Sequence, residues 1–298
     1  MSGCSLVVLK FGSSVLRDAG DLPRVTDEIA GHVARGHRVL AVVSAQGDGT
    51  EQIIARSGLT TEEAGQRGPG TQKAFAALLG TGEATSAALI GLELDRHGID
   101  FTILDVARVG PFTRGPWLDA WPHALDTTAI RRLLRQRPVA LLPGFIGRDG
   151  DGDCTLLGRG GSDLTALFAA HTLRADRCRL LKDVDGIYEH DPALRGLGAP
   201  RRFVSLDWNG ALKLGDAILQ HKAAQYAHRH RVVFEVGACG GKGTLVGAPE
   251  SRFALSRGTT APGRRPRLDE AAAKAGGSAP CDGEPCAAGL ALEGGLAS

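Results

Sequence analysis

A three-layer α/β/α domain, with helices on both faces of a mainly parallel sheet, is the fold this sequence predicts. Three observations carry that expectation. Short runs rich in Val, Leu and Ile recur from SLVVLKF (5–11) to RVVFEVG (231–237) without strict in–out alternation, which marks strands buried on both faces. Helix-period stretches lie between them, so strand and helix alternate along the chain. Apolar residues make up 43% of the 298 positions and aromatics only 5%, which suits helix-on-sheet layers better than an aromatic-rich binding surface.

The elements follow in order. SLVVLKF (5–11) is the first strand. In DLPRVTDEIAGHVARGH (21–37), Asp21 is placed to cap and Pro23 sits in the first turn; Val25, Ile29 and Val33 recur every four residues, and Gly36 ends the helix. RVLAVVS (38–44) is the second strand, and AFAALLGTGEATSAALIGLELDRHG (74–98) reads as a long helix. DFTILD (100–105), PVALLPGF (138–145) and RCRLLKDV (177–184) are further strands, with TTAIRRLLRQ (127–136) helical between the first two. SDLTALFAAHTL (162–173) opens with two residues able to cap a helix, and WNGALKLGDAILQHKAAQYAHRH (208–230) reads as a broken helical pair. Residues 1–249 therefore form one predicted domain. Residues 250–298, rich in Ala, Gly and Pro without an apolar period, are expected as a low-complexity disordered tail or linker. Cys281 and Cys286 within it lack the partners a metal site needs.

Composition excludes several functions. The net charge is +2 with no dense basic block, so nucleic acid is not an expected partner. No run of eighteen apolar residues calls for a membrane helix, and MSGCSLVVLKFG has no signal-peptide pattern. Six cysteines without a CxxC pattern are expected to be free thiols of a cytoplasmic protein.

Parallel sheets bind ligands outside the carboxyl ends of their strands, and four strand-end segments carry polar residues there. In VVLKFGSSVL, Lys10 precedes Gly12 and Ser13: a compact positive charge beside open backbone N–H groups suits phosphate, or the segment is a structural turn. In VVSAQGDGTE, Ser44 and Thr50 offer hydroxyls around two glycines, or the segment is a plain βα loop. In GTGEATSAALI, Glu83 heads an apolar helix, either as a surface charge that complements the dipole or as a partner for an ammonium group. The fourth is the pair GFIGRDGDGDCTLLGRGGSD (144–163) and LLKDVDGIYEHDP (180–192). Arg159 can grip a carboxylate bidentately, and Asp163 begins a helix whose N–H groups would face an anion. Lys182, Asp183 and Asp185 form a charged turn toward Tyr188. Mixed charges converging on one face suit a nucleotide phosphate–Mg²⁺ site beside an acid substrate.

KFG…S, VVSAQGDGT, GTGE…SAAL, PGFIG…TLLGRGGSD, KDVDGIYEHDP and GTLVG occur here in the order of the amino-acid kinase superfamily, over about residues 5–247. GRGGSD resembles the signature of aspartate kinases. The resemblance implies transfer of the ATP γ-phosphoryl group to the β-carboxylate of L-aspartate, giving 4-phospho-L-aspartate on the route to lysine, threonine and methionine. It implies ATP and Mg²⁺ as cofactors, the metal held mainly through the ATP phosphates with no protein ligand assigned. Lys10 would contact the transferring phosphoryl group, with Gly12 and Ser13 lining the loop. Ser44 and Thr50 would lie near the aspartate side chain, Glu83 would take the ammonium group, and Arg159 the α-carboxylate. Ser162 and Asp163 would complete the acid pocket, Asp163 also organising the lysine and metal–phosphate cluster. Lys182, Asp183, Asp185, Tyr188 and Arg195 would lie along the nucleotide. A homodimer is implied, with fusion to or association with a downstream pathway enzyme as a further expectation. The nine histidines need no catalytic role, and His171 is expected to serve packing or surface.

Three departures accompany the resemblance. KFGSSVL is one glycine shorter than the usual KFGGSSV and is similar to glutamate 5-kinases, which lack GRGGSD. GDAILQHKA matches a family GAKVLHP segment but has Ala217 at the lysine, and Lys182, where the family usually has Thr or Ser, is expected to supply that charge. No pair of ligand-sensing ACT domains is evident. The alternatives are a kinase of another carboxylate such as glutamate, or a catalytically weak nucleotide-binding regulatory subunit.

Overall fold

All six residues of β1 (Leu6–Phe11) are buried, which requires helices on both of its faces. Val7, Leu9 and Phe11 enter one core while Leu6 and Val8 enter another, as the two-residue strand period dictates. The structure is a computed structural model that describes residues 5–190, 199–214 and 219–254. After β1, a short 3-10 turn (Ala19–Asp21) is capped by Asp18, whose carboxylate accepts from the Gly20 N–H at 2.7 Å. α1 (Leu22–Ala34) then packs Val25 and Ile29 into the core that holds Phe11. Asp21 precedes this helix but does not cap it as expected. Its carboxylate accepts from the backbone and guanidinium of Arg17 at 2.8–3.0 Å, a charged partner that outcompetes the helix N–H groups.

β2 (Arg38–Val43) lies parallel to β1. A short loop follows β2, and the chain becomes helical at α2 (Gly49–Ser57), a helix to which the sequence reading assigned no range. α3 (Thr61–Gly65) starts with a capping box, Thr60 and Glu63 exchanging side-chain-to-backbone bonds at 3.1 and 2.7 Å. α4 (Pro69–Arg96) is the one helix among the described residues that is long and apolar enough to cross a membrane by length and composition. Half of its most apolar window is buried, with Phe75 and Leu79 in one core and Ala87 and Ile90 in the other; it is the central core helix of this fold. β3 (Phe101–Ile103) follows at one edge of the main sheet.

A second sheet departs from the sequence expectation. Past α5 (Val106–Val109) come β4 (Phe112–Arg114) and β5 (Trp121–Ala124); then α6 (Thr127–Gln136) and β6 (Val139–Pro143) return to the main sheet. β7 (Ile146–Arg148) and β8 (Cys154–Leu156) rejoin β4 and β5 in the order β5-β4-β7-β8. The RDGDGD run is the β7–β8 hairpin turn: the Asp149 carboxylate accepts from the N–H groups of Asp151 and Asp153 at 3.1 and 2.8 Å. Lys73 closes it with a 2.6 Å ion pair to Asp153.

α7 (Gly161–Thr172) crosses back to β9 (Arg177–Leu181). Ser162 and Asp163 lie inside α7, and Gly160 takes the cap position at φ 74° with no side-chain cap. β10 (Phe203–Leu206) precedes α8 (Trp208–Leu214) and α9 (His221–His230), the two pieces of the predicted helical pair. β11 (Phe234–Gly237), β12 (Thr244–Val246) and β13 (Arg252–Phe253) complete a nine-stranded sheet ordered β13-β10-β12-β11-β9-β1-β2-β6-β3. Within it β11–β12 and β10–β13 are antiparallel and the other pairs parallel. The mainly parallel α/β fold is therefore as predicted. The expectations on Arg195, Ala217 and the cysteine-bearing tail lie outside the described residues.

Candidate functional site

Four adjacent strands, β9-β1-β2-β6, end level with one another. Phe11 is opposite both Val43 and Leu181, and Val43 is opposite Pro143. Cross-strand bonds continue one residue further: Gly12 N to Leu181 O (3.4 Å), Ser44 N to Phe11 O (3.1 Å), and Gly144 N to Val43 O (2.9 Å). Gly12, Ser44, Gly144 and Lys182 thus form a row along the carboxyl edge. At Gly144 a Cβ would meet Ser162 Cβ and Oγ at 2.8 Å and the Val43 carbonyl at 3.0 Å, so only glycine lets α7 approach the sheet this closely. Phe145 beside it holds φ 66°, an uncommon conformation for a bulky residue, pinned by an N–H bond to Thr165 Oγ1 at 3.2 Å. Neither residue was singled out from sequence. The GFIG segment was the available signal.

Lys10 is the penultimate residue of β1 and faces α7, where its Nζ lies 2.7 Å from Asp163 Oδ1. The Lys182 Nζ lies 3.4 Å from the other carboxylate oxygen. Lys10 and Asp163 are only 7% and 4% exposed. Burial pushes the Asp163 carboxyl up, but the Lys10 and Lys182 ammoniums outweigh it and hold it below the usual carboxylate range. Within this trio two ammoniums share one carboxylate. The sequence reading has Asp163 organising a lysine and Lys182 lying along the nucleotide; the structure brings both Lys10 and Lys182 to the Asp163 carboxylate.

Glu83 occupies the middle of α4, not a helix start, and is 2% exposed. That placement removes the surface-charge alternative. Its Oε1 accepts weakly from Ala45 N at 3.4 Å, just after Ser44, while Oε2 is buried without a hydrogen-bond partner. Burial raises the carboxyl to about 7 against the opposing pull of its few bonds and of Lys10. A buried acid with one idle oxygen beside the strand ends is suited to receive a cationic donor.

The remaining candidates differ in exposure and in partners. Thr50, the second residue of α2, and Ser44 are half-buried, and Ser13 is exposed. Ser162 is buried against the Gly144 turn. Arg159 is exposed between Gly158 and Gly160, with no ion pair among the described residues. Asp183 is exposed, whereas Asp185 and Tyr188 bond each other at 2.7 Å. Arg202 braces that turn 3.8 Å from Asp185, and Thr244 Oγ1 accepts from Ile187 N at 2.8 Å. Asp185 and Tyr188 thus shape the turn, and Lys182 is its member that reaches the charged centre.

Comparison with known proteins gives the family. The model of the amino acid kinase family matches residues 5–231. The chain is 34% identical over 235 residues to an aspartokinase of Thermus thermophilus, covering 78% of this chain and 56% of that protein. It is 30% identical over 246 residues to an aspartokinase of Geobacillus stearothermophilus, covering 81% and 58%. Its fold is similar to that of E. coli aspartokinase III crystallised with aspartate and ADP, at 25% identity and a TM-score of 0.66, over 81% of this chain and 64% of that one. The chain spans little more than half the length of the two relatives it matches.

Proposed function

The chain belongs to the amino acid kinase family, and we propose that it transfers the γ-phosphoryl group of ATP to the β-carboxylate of L-aspartate. The observation that carries this is the Lys10–Asp163–Lys182 centre, two ammoniums on one carboxylate in the first turn of the helix that follows the exposed Arg159, together with the buried Glu83, one of whose oxygens is unpartnered. A carboxylate acceptor is already ionised near neutral pH, so the site needs no general base. Its task is to bring one anion to another, by position and electrostatics. Lys10 and Lys182 would draw the phosphoryl oxygens, and Asp163 would keep both ammoniums in place. The residues fit a phosphate tail: a Cβ at Gly12 would sit 3.0 Å from Lys10 Nζ, so bare backbone lies beside the ammonium. Mg²⁺ on the ATP phosphates would further neutralise the transferring group. Arg159 would bind the α-carboxylate and Glu83 the ammonium group, holding aspartate by both charged ends. On this proposal the catalytic domain, acting in the cytoplasm, runs past the expected boundary at residue 249 through β13, which pairs with β10, and the residues after 254 form a tail or linker.

Incubation with Mg-ATP and a panel of amino acids, trapping acyl phosphate with hydroxylamine, tests it. Hydroxamate and ADP release that depend on aspartate are expected. Hydroxamate with glutamate alone would move the acceptor, and nucleotide binding without turnover would overturn the activity.

Glu83 supplies a pH prediction. An unfolded glutamate titrates near 4.5 and this one near 7, so the folded state holds the proton more tightly. Stability therefore falls as pH rises between those values, by about 3 kcal/mol in all for an isolated shift of that size. Thermal melts of Glu83→Gln should lack this slope. Aspartate binding near pH 7 should expel the proton, seen by calorimetry in buffers of different ionisation enthalpy, and the variant should release none.

A further inference from the structure

We infer that Lys222 is a positioning residue for the Arg159 loop and thereby sets affinity for the acid substrate, a role that rests on the function proposed above. Lys222 is the second residue of α9. Its ammonium has three hydrogens and three oxygen partners: Asp119 Oδ1 at 2.6 Å, the Ala120 carbonyl at 2.9 Å and the Leu157 carbonyl at 3.0 Å. It also lies 4.7 Å from the centre of the Trp121 ring. Segment 117–121 is itself laced to the end of β8, Leu156 N donating to Trp117 O at 2.6 Å and Ala120 N to Leu156 O at 2.8 Å. One side chain therefore clasps the residue before β5 to the residue after β8, and the latter immediately precedes Gly158.

Arg159 has no ion pair among the described residues, so its placement follows that of the loop backbone, which is also tied by Gly161 N donating to Gly158 O at 2.9 Å and Leu157 N to Phe145 O at 2.8 Å. Arg159 sits between Gly158 at φ 75° and Gly160 at φ 74°, positions where glycine moves freely. The first turn of α9 and its partner wall the loop from outside. A Cβ on Gly158 would collide with the Asp119 carboxylate that Lys222 holds, and one on Gly160 with Gln220. Asp119 is 65% exposed, so its ion pair alone contributes little to stability. The two backbone carbonyls are what the ammonium fixes, and Leu157 O is one residue from the loop.

Lys222→Met keeps the aliphatic stem and removes the donors. Amide exchange over 158–161 should quicken by ~10-fold. The aspartate KM should rise by ~10-fold with the ATP KM changed less than about 2-fold. Lys222→Arg should recover most of both effects, and Asp119→Ala, which leaves the carbonyl bonds, should give a smaller loosening and serve if the methionine variant does not fold. Unchanged loop exchange, or equal rises in both KM values, would overturn the inference. If the unmodified chain shows no aspartate-dependent turnover, the proposed function fails, while the exchange comparison still decides whether Lys222 holds the loop.

Discussion

Asp163→Asn is expected to lower kcat by about 10³-fold while changing both KM values far less. The substitution keeps shape and burial but removes the one negative charge that Lys10 and Lys182 share, at 2.7 and 3.4 Å. Lys10 is 7% exposed and has little water to replace that partner. Without the carboxylate between them the two like charges repel, which spoils the alignment of positive charge on which phosphoryl transfer depends. Breaking a buried ion pair from one side also costs on the order of 3 kcal/mol, so thermal melting should be followed beside steady-state ADP release. The wild-type carboxyl is held below its unfolded value near 3.8, so its contribution to stability is present above that pH and lost as pH falls further. The asparagine variant should lose that part of the acid sensitivity. An Asp163→Asn enzyme with near-normal kcat would remove Asp163 from the transfer step.

The parallel sheet and this centre were legible because both are written locally. β1 is a continuous apolar run ending in Lys10, and Asp163 falls three residues into an apolar helix behind a glycine loop, so each motif carries its own secondary structure. The second sheet was not, because β4, β7 and β8 have three residues each and no strand period can establish itself over that length. Capping assignments failed where a charged partner was nearer than the helix end: Asp21 bonds Arg17, and Asp163 meets Lys10 across the chain. Glu83 was recognised as a candidate, yet its burial depends on α4 packing against the segment after β2, where Ala45 N donates to it from 38 residues away in sequence. Lys222 was invisible for a plainer reason. Its partners lie 103, 102 and 65 residues away, and only folding brings them together.

Arg159→Ala should raise the aspartate KM by about 100-fold and leave the ATP KM within about twofold, because a bidentate arginine–carboxylate contact is among the strong charge-assisted bonds. Lys10 and Lys182 already share the Asp163 charge, whereas Arg159 has no ion pair among the described residues and is exposed. Its full charge is therefore available to a ligand, and little stability should be lost with it. Arg159→Lys is expected to recover only a small part of the affinity, since an ammonium lacks the planar fork that matches both oxygens of a carboxylate. Initial rates measured against each substrate in turn separate the outcomes. A rise confined to aspartate places the arginine on the α-carboxylate. Equal rises for aspartate and ATP would instead put it on the phosphates, and the acid pocket would then have to be built around Glu83 and Ser162, both buried, with no exposed cation to draw the substrate in.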